Sequence, residues 1–375
     1  MTENLIKDQK HTDQYSIYNG DCYDVTSNIP DESIDFSVYS PPFCGLYQYS
    51  SDHRDMSNCG TREQFLDQYE FLIKEKARIT KKGRITAVHC QDINVGSGIN
   101  HLYDFPADII RLHEKHGFVY CNKVTIWKEP LKVRMRTMVR SLMHKFVVDD
   151  MTKCFTAMPD YILIFTKKGE NKVPVENLQG LSHYFGSTPI LPNMLTAYNN
   201  QSESNFTCEE MWDYLNDKYL GCGDDLYNKY LQADINNSDN KEDIKEELKE
   251  LQRSNKLSHY IWQRYASCIW DDIRIDNTLK FKDSREEDDE KHVHPLQLDV
   301  IQRLIYMYTN EGESVLTPFM GVGSEVYGAV SLKRKGIGIE LKDSYYKQAI
   351  LNLDNVDQVK RKEVAKQTNI FDSIK

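Results

Sequence analysis

Residues 314–340 confine the chain to a narrow set of folds. A short apolar strand, Ser314-Val315-Leu316-Thr317, runs into the turn Pro318-Phe319-Met320-Gly321-Val322-Gly323-Ser324. A helix follows, with Val326, Ala329, Val330 and Leu332 as its apolar positions, and a second strand, Gly336-Ile337-Gly338-Ile339, ends in Glu340. Strand, glycine turn, helix, strand and acid form the layout of a nucleotide-type site in an α/β sheet. Glycines let the backbone approach the ligand, and an acid about twenty residues on accepts from ribose hydroxyls. A dinucleotide fingerprint wants Gly or Ala where Val326 stands, so a ligand with an adenosine but no phosphates fits better.

Ser40-Pro41-Pro42-Phe43 follows the apolar run Ile34-Asp35-Phe36-Ser37-Val38-Tyr39, which reads as a buried strand. Consecutive prolines cannot continue a central strand, so they fix a rigid loop at its carboxyl end, where ligands of such sheets bind. A hydroxyl before them and an aromatic face after them suit a planar ring held by stacking while an oxygen accepts from its amino group. Taken alone, the tetrapeptide reads equally as an ordinary turn that ends a strand.

With both segments in view, the chain resembles the DNA amino-methyltransferases that modify cytosine N4 or adenine N6, in the circular arrangement that places the catalytic motif before the cofactor motif. The resemblance covers most of residues 14–354. It rests on Asn19-Gly20-Asp21-Cys22, on Ser40, Pro41, Pro42 and Phe43, on the segments 124–128 and 159–165, on His294-Pro295-Leu296-Gln297, and on Phe319, Gly321, Gly323 and Glu340. It implies a Rossmann-like S-adenosylmethionine-dependent methyltransferase sheet with an inserted target-recognition domain. The catalytic half is expected over 14–168, the insertion over 169–256 and the cofactor-binding half over 257–354. It further implies S-adenosylmethionine bound by Asp21, Cys22, His294, Pro295, Gln297, Thr317, Phe319, Gly321, Gly323 and Glu340, and double-stranded DNA as partner. Residues 40–43 are implied as catalytic. One departure stands out: the family usually has an acid at the position of Thr317. If the resemblance holds, both chain ends bind the cofactor. The strand before Asp21 must then lie beside the one ending at Glu340, and Ser40 must open on the same edge as Gly321.

Methyl transfer to an aryl amine needs no strong base, because the amine is already neutral. Acceptors that pull its N–H bonds out of the ring plane localise the lone pair, and the Ser40 hydroxyl and Pro41 carbonyl are the candidates. The target base must leave the duplex, and stacking on Phe43 offsets part of that cost. Tyr47 and Tyr49 either line the pocket or belong to the core. Serine before the prolines favours cytosine N4 over adenine N6 by family correlation. A nicotinamide-dependent oxidoreductase and a catalytically inactive DNA-binding relative are the competing readings. Val326 and the Pro-Pro loop argue against the first, and intact residues 40–43 against the second.

The net charge of −10 looks wrong for a DNA-binding chain, but phosphates respond to local charge. Residues 128–145 carry Lys128, Lys132, Arg134, Arg136, Arg140 and Lys145 with Glu129 as the only acid. This stretch is either the phosphate-contacting surface or a solvated helix face. Acid-rich runs at 239–250 and 285–290 are expected to face solvent. The nine cysteines show no C-x-x-C pair, which reads as buried thiols in a reducing, cytoplasmic setting without disulfide or metal. None follows a proline, which argues against cytosine C5 chemistry. No apolar run approaches a membrane span, and residues 1–14 lack a signal-peptide core. A homodimer stays open.

Periodicity places strands at 16–18, 36–39, 84–90, 124–127 and 161–165. A helix begins at Thr61, with Gln64 completing a capping-box pattern and Phe65, Tyr69, Leu72 and Ile79 as its core stripe. Residues 91–98 read as a polar loop. A further helix carries Leu298, Ile301, Leu304, Ile305 and Tyr308. Helical patterns such as 211–219 alternate with polar stretches in the expected insertion.

Overall fold

The computed structural model describes residues 6–42, 52–94, 102–137, 142–155, 157–176, 265–284 and 295–363. The chain divides into two units, residues 1–175 with 268–362 and residues 176–267 with 363–375, and nearly all described residues belong to the first. Phe43, Tyr47, Tyr49, Arg140, His294, the helical pattern at 211–219, both acidic runs and most of the expected insertion lie outside the described residues.

In chain order the elements are β1 (Ile6–His11), β2 (Tyr15–Gly20), α1 (Cys22–Thr26), β3 (Ile34–Tyr39), α2 (Arg62–Ile79), β4 (Thr80–Cys90), β5 (Ile93–Asn94), β6 (Leu102–Tyr103), α3 (Phe105–Lys115), β7 (Phe118–Ile126), α4 (Pro130–Thr137), α5 (His144–Asp149), β8 (Asp160–Lys167), β9 (Ile269–Trp270), α6 (Leu298–Tyr308), β10 (Ser314–Thr317), α7 (Ser324–Ser331), β11 (Lys335–Glu340) and α8 (Asp343–Glu363). Nine strands form one sheet in the order β1-β2-β11-β10-β3-β4-β8-β7-β9. Its centre, β2-β11-β10-β3-β4, is parallel throughout. β8 runs antiparallel to β4 and β7, and β1 antiparallel to β2.

Alternation along the strands builds two cores. Tyr39, Val88, Cys90, Leu163, Phe165 and Leu316 face α2 and α3. Their neighbours Val38, Ala87, Ile162, Ile164 and Val315 face α6 and α7. This period of two, buried on both faces, makes a three-layer α/β/α unit. Phe65, Tyr69, Leu72 and Ile79 of α2 are fully buried, as the stripe predicts. Burying side chains of this size stabilises by roughly 1.5–3 kcal/mol each. Thr61 caps α2 by accepting from the Gln64 amide at 3.2 Å, while the Gln64 side chain accepts from the Gly60 amide at 3.0 Å.

Three expectations change. The first strand is β1, not residues 16–18; its alternating polar sequence hides it, because as an edge strand it is mostly exposed. Residues 93–94 are not loop but pair with Leu102–Tyr103 in a small ribbon. The expected strand at 84–90 begins at Thr80, directly after α2. Among the described residues, no helix is long and apolar enough to cross a membrane.

Candidate active site

Strand direction collects the site on one rim. The carboxyl ends of β2, β11, β10, β3 and β4 deliver Asp21, Glu340, the Pro318–Gly323 turn, Ser40 and His89 side by side. β8 runs the other way, so its first residue, Asp160, opposite Ile126 of β7, joins the same rim. The order reverses between β10 and β3: β3 crosses over to β4 on one side and β10 to β11 on the other. That switch point leaves a crevice at the carboxyl ends. A cleft of about 370 Å³ opens there, lined among others by Asp21, Ser40, Pro41, Phe319, Gly321 and Glu340.

The turn after β10 is held by its glycines. Gly321 and Gly323 sit at φ 53° and 92°, where a side chain would strain the backbone, and Gly323 caps α7. The Gly321 amide donates to Oε2 of Glu340 at 2.8 Å and the Lys342 amide to Oε1 at 2.9 Å. Both carboxylate oxygens retain further acceptor capacity toward the cleft. Burial pushes the Glu340 carboxyl up to about 7. Asp21 caps α1, accepting from the Tyr23 and Asp24 amides at 2.8 and 3.3 Å, and burial raises its pKa as well. Pro295 and Gln297, just ahead of α6, line the same cleft.

Thr317 is 1 % exposed, its Oγ1 has no hydrogen-bond partner among the described residues, and it does not line the cleft. The cleft instead contains Glu325, in the first turn of α7 and 4 % exposed, which burial pushes up to about 8. Among the described residues no cation pairs with it. Sequence reasoning missed this acid because attention fell on the glycines before it.

On the β3 side, Ser40 Oγ lies 3.1 Å from Nδ1 of His89, and Nε2 of His89 lies 3.3 Å from Oδ2 of Asp160. The second contact is too oblique for a formed hydrogen bond. Lys128 Nζ donates to Oδ1 of Asp160 at 2.5 Å. Burial alone would raise the Asp160 carboxyl, but Lys128 and His89 outweigh it and hold the group well below the ordinary carboxylate range. His89 and Asp160 were not singled out from sequence. A lone His at a strand end and the acid of Pro159-Asp160-Tyr161 carry no spacing signal; only the antiparallel return of β8 brings them together.

The basic stretch is less uniform than its sequence suggests. Lys128 pairs with Asp160 inside the cleft. Lys132 pairs with Glu129 at 2.9 Å, and Lys145 lies 3.9 Å from Asp149. Arg134 and the backbone of residue 136 belong to α4.

A mostly parallel sheet with a glycine turn at its switch point and an acid closing the next strand defines the Rossmann-like fold of the S-adenosylmethionine-dependent methyltransferases. Residues 34–351 match the model of the N6/N4 DNA methylase family, and the chain belongs to that family. It is 30 % identical over 116 residues to the DNA adenine methyltransferase YhdJ of Escherichia coli, covering 30 % of this chain and 36 % of that one. It is 23 % identical to the type II methyltransferase M.BamHI of Bacillus amyloliquefaciens over 98 % of this chain and 64 % of that one. The chain thus spans less than two thirds of either relative. A Thermus thermophilus protein named as a putative DNA modification methylase, solved with S-adenosylmethionine, superposes with a TM-score of 0.53 at 18 % identity, covering 92 % of this chain and 95 % of that one.

Proposed function

We propose that this protein is a site-specific DNA methyltransferase that moves a methyl group from S-adenosylmethionine to the exocyclic amine of a flipped base, cytosine N4 before adenine N6. The observation that carries the reading is the juxtaposition of Ser40-Pro41 and the Phe319–Gly323 turn across one switch point, in a member of the N6/N4 family. S-adenosylmethionine supplies an activated methyl on a sulfonium. Asp21 and Glu340 hold its adenosine portion, with the carboxylate of Glu340 accepting from ribose hydroxyls beside the Gly321 amide. Pro295, Gln297 and Phe319 close the pocket around it.

Ser40 Oγ and the Pro41 carbonyl accept the amine's hydrogens and turn its lone pair out of the ring. Fixing amine and donor in line supplies much of the rate as proximity. Phe43 stacks on the flipped base. Residues 169–256 read the recognition sequence, and the basic surface around Lys132, Arg134, Arg136, Arg140 and Lys145 holds phosphates. Adenine N6 is the second reading, supported by the adenine specificity named for YhdJ. Mass spectrometry of nucleosides from duplex DNA incubated with the protein and labelled S-adenosylmethionine decides: N4-methylcytosine is expected, N6-methyladenine selects the second reading, and no labelled nucleoside from any DNA tried overturns both.

A further inference from the structure

Ser40 can serve the target amine only if its oxygen is free to accept, so its own proton must go elsewhere. Among the described residues, His89 lies within reach, with Nδ1 at 3.1 Å. Which way that contact runs depends on the imidazole tautomer. If Nδ1 carries the hydrogen, the ring donates to Ser40, takes up one of its two lone pairs and leaves the hydroxyl hydrogen to turn toward the substrate. If Nε2 carries it, Nδ1 accepts from the Ser40 hydroxyl and the Ser40 lone pairs face the cleft. Asp160 settles the choice. It is buried and ionised, and its Oδ2 lies 3.3 Å from Nε2, where a hydrogen is favoured and a lone pair is repelled. Lys128 occupies the other oxygen of the carboxylate and keeps it charged.

From this geometry we infer that His89 and Asp160 form a positioning relay that sets Ser40 as a hydrogen-bond acceptor and then receives the proton released by methylation. The inference rests on the amine methyl-transfer reading above. Three strand ends and a return strand build the relay: Ser40 after β3, His89 in β4, Asp160 opening β8 and Lys128 just after β7. Among the described residues, Asp160 is the charged group paired with the imidazole and Lys128 lies beyond it; Lys132 and Arg54 line the same cleft.

The proton balance closes within these residues. Once the amine nitrogen has formed its bond to the methyl carbon, it carries a positive charge and one hydrogen too many. That proton passes to Ser40 Oγ as the Ser40 proton passes to Nδ1. The methyl carbon–sulfur bond breaks with its electron pair on sulfur, so the products are a neutral thioether, a neutral methylated amine, a neutral serine and an imidazolium next to Asp160, which later releases its proton to water. The oblique Nε2–Asp160 contact is no obstacle, because such hydrogen bonds commonly tighten only when substrate is bound.

Two measurements test the relay. The first is ¹⁵N NMR of the imidazole in the full-length protein, assigned by difference against His89→Asn. It should show the hydrogen on Nε2 in the wild type and a shift toward Nδ1 in Asp160→Asn; a hydrogen on Nδ1 in the wild type overturns the inference whether or not the protein methylates DNA. The second is the single-turnover methylation rate against pH, with S-adenosylmethionine affinity measured in parallel by calorimetry. His89→Ala should lose about 10²-fold in rate at unchanged cofactor affinity. His89→Asn keeps an acceptor near the Nδ1 position but cannot take a proton. It should retain more rate than the alanine variant, and its rate should vary less with pH than that of the wild type. Equal rates and equal pH profiles in wild type and His89→Ala overturn the relay. A wild type that labels no nucleoside refutes the methyl-transfer reading instead, and the tautomer still decides the arrangement of Ser40, His89 and Asp160.

Discussion

Asn19 donates through Nδ2 to the main-chain oxygen of Glu340 at 2.9 Å, across 321 positions of sequence. The same amide reaches the Leu341 carbonyl at 3.3 Å. Asn19 is buried and stands opposite Glu340 in the parallel pair of β2 and β11. One side chain therefore stitches the first third of the chain to the last strand, where Asp21 and Glu340 face a common cleft. The circular arrangement is thus a physical contact as well as a motif order.

Glu340→Ala should weaken S-adenosylmethionine binding by roughly 1–3 kcal/mol, the range for hydrogen bonds to a charged group. The substitution also releases the Gly321 and Lys342 amides, so a thermal melt must accompany the calorimetry. A dissociation constant that stays put in a folded variant would mean Glu340 only ends a strand and ties down the turn.

The share of the ligand-free protein's stability that rests on Glu325 and Glu340 should fall as pH rises from about 4.5 to 8. Burial raises Glu325 to about 8 and Glu340 to about 7 from an ordinary 4.5. Both favour the protonated form when folded, so their contribution is full below pH 4.5 and disappears as pH climbs through 7 and 8. Buried His113, pushed down to about 3, and buried Lys76, pushed well below its ordinary value, act in the opposite sense within this span, so the test compares the wild type with a Glu325 variant. Glu325→Gln removes the ionisation at nearly constant shape. Its melting temperature should climb relative to that of the wild type over this span; parallel curves would show that Glu325 is ionised at no cost.

Gly338→Ala should destabilise by about 1–3 kcal/mol, as overpacking does. A Cβ there meets Met320 Sδ at 2.4 Å and Val326 Cγ2 at 2.7 Å, so α7 and the turn would have to retreat from β11. Gly60→Ala, whose Cβ meets nothing closer than 3.5 Å, is the control. Denaturant midpoints compare them, and equal midpoints would mean the helix yields freely.

What was legible in the sequence was whatever carries its own local signal. The glycines of the turn, Glu340 and the apolar runs at 34–39 and 161–165 announce strands and a turn through residue type and period. The adjacency of the Asp21 and Glu340 strands followed from the family resemblance and is met in the pairing of Tyr18 with Ile339. β1 was missed because an edge strand needs no apolar face. His89, Asp160 and Lys128 were missed as a group because the group exists only through an antiparallel pairing between strands some seventy residues apart, which no periodicity encodes. The partner of Lys128 was hidden for the same reason: in sequence it heads a basic run, in space it pairs with the buried Asp160.

On the proposed reading, and with Lys128 paired to Asp160, the rest of residues 128–145 should carry the non-specific DNA affinity. Arg134, Arg136 and Arg140 changed together to Ala should remove up to three phosphate contacts, and the slope of log affinity against log salt should shrink by about 0.9 for each. Sequence preference should survive if it resides in residues 169–256, because phosphate contacts position a protein without reading bases. Lys128→Ala should behave differently. It leaves the salt slope nearly unchanged, exposes a buried carboxylate without its cation, and lowers stability and turnover instead. Filter binding of specific and unrelated duplexes across a salt series, run on both variants, separates the two outcomes. If the triple variant keeps its slope while discrimination between duplexes collapses, this stretch reads bases and the recognition role of residues 169–256 must be redrawn.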